Sequence, residues 1–105
     1  MELSQLSDRA MQINQAFAAH GRQTGGRPWT REEIMQGFVG DVGDLMKLVM
    51  ARAGARHVED LDRKLAHELS DCLWSLLVLA KLYEVDLTKE FLTTMREIET
   101  KLAQG

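Results

Sequence analysis

The stretch that most constrains this chain is residues 72–83, "CLWSLLVLAKLY", which is apolar on every side of a helix. Over residues 60–83 the positions Leu61, Leu65, Leu69, Cys72, Leu76 and Leu79 recur at helical spacing, and from Cys72 onward apolar side chains surround that stripe. A helix that is apolar all round is stable in water only when other elements enclose it. The run is too short to span a bilayer and is interrupted by Lys81. It therefore predicts the central helix of an all-α bundle. No strand-like alternation of useful length, internal repeat or low-complexity tract competes with that reading.

The partners of this helix are legible from the same periodicity. Leu3, Leu6, Ala10, Ile13 and Phe17 mark one apolar face of a first helix over residues 3–20, and His20 continues the stripe. The following "GRQTGGRPW" carries Pro28 and several glycines, so it reads as a loop, with a basic flavour from Arg22, Arg27 and Arg31. Thr30 to Glu33, "TREE", has the spacing of a capping box and opens a second helix with Ile34, Phe38, Val42, Leu45 and Val49 on its apolar face. That helix fades at "ARAGARH", where Gly54 is a natural terminator. After the central helix, Asp86 or Thr88 caps a fourth with Phe91, Met95, Ile98 and Leu102 in line.

One proline and no polar linker in 105 residues predict a single domain over 1–105. A core this small leaves apolar faces uncovered when its helices are long, which predicts a homodimer or higher oligomer. A net charge of −3 with the signs interspersed argues against a nucleic-acid-binding surface. The single cysteine, Cys72, forms no intrachain disulfide, and the N-terminal residues lack a basic stretch followed by an apolar one. A reducing cytoplasm is the compartment these features predict.

The second helix holds the first functional signal. Residues 37–48, "GFVGDVGDLMKL", place three glycines inside a helix, where each costs roughly 1 kcal/mol relative to alanine. Asp41 and Asp44 lie about 60° apart at one edge of the apolar face. Glu68 and Asp71 repeat the spacing on the third helix, so helices packed by these faces bring both pairs to one groove. Four carboxylates at a half-buried seam repel one another and call for a cation. An all-oxygen set suits Mg²⁺ or Mn²⁺ in company with substrate phosphates. Bare backbone at Gly37 and Gly40 would let a neighbouring helix or a metal-bound phosphate come close. Periodicity alone leaves this reading standing beside solvated acidic decoration of two amphipathic helices. No Glu-x-x-His pair is present, which counts against a di-iron bundle, and His67 points about 100° away from Glu68.

Taken together, "FVGDVGDLMKL" and "HELSDCLWSLLVLAKLYEVDL" resemble the MazG-like, all-α nucleoside triphosphate pyrophosphohydrolases, whose two motifs are Glu-x-x-Glu and Glu-x-x-Asp. The likeness runs from about Phe17 to Leu102, and "RPWTREE" is similar to the family's approach to its second helix. The resemblance implies a four- to five-helix bundle assembled as a homodimer or homotetramer, with Mg²⁺ held by the acids. It also implies cleavage of an NTP or dNTP to the monophosphate and pyrophosphate, as in the removal of unwanted nucleotides. Asp41 and Asp44 stand where the family has its first two glutamates, and Glu68 and Asp71 match the second pair. All four are candidates for metal binding and catalysis, with Asp41 or Asp44 positioning the attacking water.

Two departures from the family pattern matter. Both first-motif glutamates are aspartates, each one methylene shorter. The last helix offers only Arg96 and Lys101 where relatives carry a fuller cationic cluster, so Lys47 or the basic loop would help neutralise phosphate. His20 and Trp29 either contact the base or seal the end of the bundle, while Trp74 reads as core or oligomer interface. Two alternatives share this pattern: the related phosphoribosyl-ATP pyrophosphohydrolase, and a helical nucleotide-binding or scaffold protein whose catalysis is attenuated.

Overall fold

The computed structural model describes residues 1–105 as four helices without strands: α1 (Leu3–Gln23), α2 (Arg31–Arg52), α3 (Leu61–Leu82) and α4 (Leu87–Gln104). No helix is long and apolar enough to cross a membrane. The start of α2 is the expected reciprocal cap: Thr30 Oγ1 accepts from the Glu33 amide at 3.2 Å, and Glu33 Oε1 accepts from the Thr30 amide at 3.0 Å. Of the two candidate caps for α4, Asp86 is the one used, its Oδ1 accepting from the Lys89 amide at 3.2 Å. Gly54, at φ +96°, ends α2 as its sequence predicts, a backbone setting that favours glycine. α1 continues past residue 20, so His20 sits in its last turn instead of after it. There Thr24 Oγ1 donates to the carbonyls of His20 and Gly21 and closes the helix.

α3 lies between α1 and α2 and packs against both, which makes it the central element. The core is small, with Ala10, Ile34, Leu77 and Val78 at its centre and Leu3, Leu6, Trp74 and Leu79 around them. Trp74 Nε1 donates to the Ala10 carbonyl at 3.2 Å and ties α3 to α1. The face that α3 buries differs from the predicted stripe. Cys72, Ser75, Leu77 and Val78 are buried, whereas Leu69, Leu73 and Leu76 remain exposed. The reason is that α3 has neighbours on two sides and none on the third. α4 packs along none of the other helices; Leu87 at its start touches the core, and beyond it Phe91, Leu92, Ile98 and Leu102 are exposed. One chain thus supplies all four helices but leaves the bundle open.

Candidate metal and nucleotide site

The packing of α2 on α3 brings the two acidic motifs together. Carboxylate oxygens of Asp41, Asp44 and Glu68 all lie within 4.8 Å of one another. Adjacent oxygens around Mg²⁺ are about 3 Å apart and opposite ones about 4.2 Å, given bonds of about 2.1 Å. A ceiling of 4.8 Å is slightly wider than that, so the trio is near the spacing of ligands on one ion without being closed on it. Glu68 Oε2 is shut off from solvent and has no hydrogen-bond partner, an arrangement that is costly unless a cation or donor completes it. Burial, followed by the charges of Asp71 and Asp44, pushes the Asp41 carboxyl above its ordinary range. The same effect, again led by burial, raises Glu68, with Asp41, Asp71 and Asp44 as the charged neighbours. An all-carboxylate donor set of this kind is compatible with a hard cation.

Asp71 stands slightly apart. Its Oδ2 lies 3.2 Å from His67 Nε2, a contact one helical turn long that the i, i+4 spacing of the two residues makes available. His67, which points away from Glu68, is thus a neighbour of the fourth carboxylate. Asp71 and Asp41 also border a cavity of about 640 Å³ between the end of α1, the 24–30 loop and the middle of α3.

That cavity is walled by Phe17, His20, Trp29 and Trp74, with Asn14 and Ser70 among the polar groups. Phe17 meets Trp74 edge to face, with centroids 5.9 Å apart and planes at 82°. Gly37 has a role here: a Cβ on it would stand 3.0 Å from Trp29 Cζ3, so the bare backbone lets the indole lie against α2. Gly40 and Gly43 meet nothing within 4 Å of a hypothetical Cβ. Within the chain, then, the close approach predicted at Gly37 comes from an aromatic ring, and none occurs at Gly40. Trp74 joins the cavity wall while also serving as core, a double role its angle on α3 hides. Phe17 had read only as part of an apolar stripe; its position one turn before His20 was the available signal.

The expected cationic groups divide. Lys47 lies beside Asp44 and Glu68 in a second cavity on the other side of the acids. Arg96 instead borders a groove between the start of α4 and residues 2–4, and Lys101 is a further turn along the unpacked α4. The chain alone brings neither of them to the carboxylates. In the basic loop, Arg27 is held by Glu33 through contacts of 2.6 and 3.1 Å, and Arg31 lies 4.9 Å from the centre of the Tyr83 ring. No protein-family profile, characterised protein or solved structure matches the chain.

Proposed function

We propose that the protein is a Mg²⁺-dependent nucleoside triphosphate pyrophosphohydrolase of the MazG-like kind, working as a homo-oligomer. The observation that carries this reading is the convergence of Asp41, Asp44 and Glu68, with an orphaned Glu68 oxygen among them, at the edge of an aromatic cavity. A 640 Å³ space walled by Trp29, Trp74 and Phe17 matches the size and stacking surface that a nucleoside needs. The carboxylates then fall at the phosphate end of a bound nucleotide.

Asp41, Asp44 and Glu68 would hold the ion, while Asp71, in contact with His67, lies beside that trio. Bound there, Mg²⁺ or Mn²⁺ supplies positive charge to phosphate oxygens as negative charge develops. The chain's own groups do the rest. Trp29, Trp74 and His20 fix the base, and a carboxylate of the first motif, Asp41 or Asp44, orients the water and accepts its proton. The water oxygen bonds to the α-phosphorus as the bond from that phosphorus to the bridging oxygen breaks. The bond's electron pair leaves with pyrophosphate.

The test is product analysis by chromatography across canonical and modified NTPs and dNTPs, with phosphoribosyl-ATP included, in Mg²⁺, Mn²⁺ or EDTA. The expected result is metal-dependent formation of the monophosphate and pyrophosphate. Asp71→Asn and Glu68→Gln should each remove turnover while leaving the helical circular dichroism intact; full activity in both would overturn the site. Turnover of phosphoribosyl-ATP alone would move the protein to the neighbouring enzyme class. Nucleotide binding without any product would make it an attenuated binding protein.

A further inference from the structure

The acidic trio has a cavity on each side, and only the aromatic one is accounted for by a base. The second, of about 670 Å³, lies towards the turn that joins α2 to α3 and includes Asp44 and Glu68 in its wall. Beyond these acids its wall carries four cationic side chains against one further acid, Asp60: Lys47 follows Asp44 by one turn on α2, Lys64 precedes Glu68 by one turn on α3, Arg56 comes from the connecting turn, and Arg63 completes the four. None of the first three takes part in any of the molecule's five ion pairs. Arg63, in the same wall, is instead paired with Asp60 at 3.4 Å.

Resting on the pyrophosphohydrolase reading, we infer that this cavity receives the β- and γ-phosphates and that Lys47, Arg56 and Lys64 hold the departing pyrophosphate. The argument is one of order and charge. Aromatic wall, carboxylates and basic wall follow one another along the seam between α2 and α3, the order of base, scissile phosphate and phosphate tail in a nucleoside triphosphate. A cation on Asp44 and Glu68 would neutralise the acids in the basic wall and leave the three unpaired side chains as net positive charge. A group as highly charged as pyrophosphate is the ligand such a wall favours, because charge-assisted hydrogen bonds are stronger than neutral ones. The site also supplies what Arg96 and Lys101 cannot from α4, which packs along none of the other helices.

Calorimetric titration of the full chain with inorganic pyrophosphate and with a nucleoside monophosphate, both in excess Mg²⁺, tests the assignment. Both Arg56 and Lys64 are exposed, so an Arg56→Gln, Lys64→Gln double variant removes charge without emptying the core. It should bind pyrophosphate about tenfold more weakly, an effect of the size expected for charged contacts, with monophosphate affinity unchanged. Lys89→Gln, a charge removed at the start of α4, should bind as the wild type does. Absence of pyrophosphate binding by the wild type, an unchanged double variant, equal loss of both ligands, or the same loss in Lys89→Gln would each overturn the inference. Turnover of NTPs by the wild type separates the two readings. A selective pyrophosphate loss in a protein without turnover keeps this site and removes the enzyme, whereas turnover with an unaffected double variant does the reverse.

Discussion

Single side chains set the pH behaviour of this protein, and they do so in two separate windows. Arg27, together with the cap at Thr30, holds the Glu33 carboxyl down at about 2. A depressed carboxyl contributes stability above its unfolded value and loses it as the pH falls through the folded one, so this contact stabilises the fold at neutral pH and is lost only in strong acid. Asp41 and Glu68 are raised, chiefly by burial. Their sign is opposite: folding favours the protonated form, a contribution fully present below the unfolded value and lost as pH rises through the raised folded value. Without divalent ions the melting temperature should therefore fall as pH rises above the ordinary carboxylate range. Glu68→Gln should flatten that fall, raise the metal-free melting temperature near neutral pH, and abolish stabilisation by Mg²⁺. Differential scanning fluorimetry across pH, with and without Mg²⁺, checks this. A less stable metal-free variant that still responds to Mg²⁺ would show that Glu68 is a structural group and no ligand. That Asp41, Asp44 and Glu68 share one seam was legible in the sequence, because residues three apart on a helix lie on one face. The contact of His67 with Asp71 was equally available at i, i+4. What spacing hid was Phe17 and Trp74 in the cavity wall, because an aromatic residue on an apolar stripe reads the same whether it faces core or void.

Among the helices, α2 shows how a rule broken in sequence can be explained at one position and left open at others. Its three interior glycines forfeit helix propensity, and only Gly37 is answered within the chain, by the indole of Trp29. Gly37→Ala should push the Trp29 ring by a few tenths of an ångström, because the new Cβ would stand 3.0 Å from Cζ3. Tryptophan fluorescence should change and KM should rise with little change in melting temperature. Gly40→Ala meets nothing within 4 Å, so it should gain about 1 kcal/mol from helix propensity, raise the melting temperature and leave the fluorescence alone. A lowered melting temperature in Gly40→Ala would instead place a second copy against that face. The helices and their caps could be read locally, since Thr30, Asp86 and Gly54 each act within a turn. The face that α3 buries could not, because Leu69, Leu73 and Leu76 differ from Leu77 and Val78 only in which neighbours the tertiary structure provides.

The whole molecule is too open for its length, and this is the strongest argument for a partner of its own kind. Its accessible surface is 8115 Å², against about 6,000 Å² for a compact monomer of 11.9 kDa. The radius of gyration is 16.9 Å, where about 13 Å is usual for this chain length. Only 8 of 105 residues are buried, so much of the apolar content has yet to find cover. The uncovered part is ordered: Met35, Val39, Val42, Met46 and Val49 form an exposed stripe on α2, Leu69, Leu73 and Leu76 another on α3, and α4 stands away with Phe91, Ile98 and Leu102 bare. These stripes have the four- and three-residue spacing by which helices interlock. An excess of about 2,000 Å² of surface per chain is the scale an obligate homodimer interface removes. We expect light scattering to give a mass of two or more chains, with a melting temperature that rises with protein concentration. Ile98→Glu should shift the mass towards one chain and remove that concentration dependence, since a charge buried unpaired in an apolar interface is strongly unfavourable. Within one chain Ile98 is 45% exposed on a helix that packs along none of the others, so the same substitution has no reason to disturb an isolated monomer. A wild type that is monomeric at all concentrations would remove the oligomer, and with it any contribution of a second chain's Arg96 or Lys101 to the acidic seam.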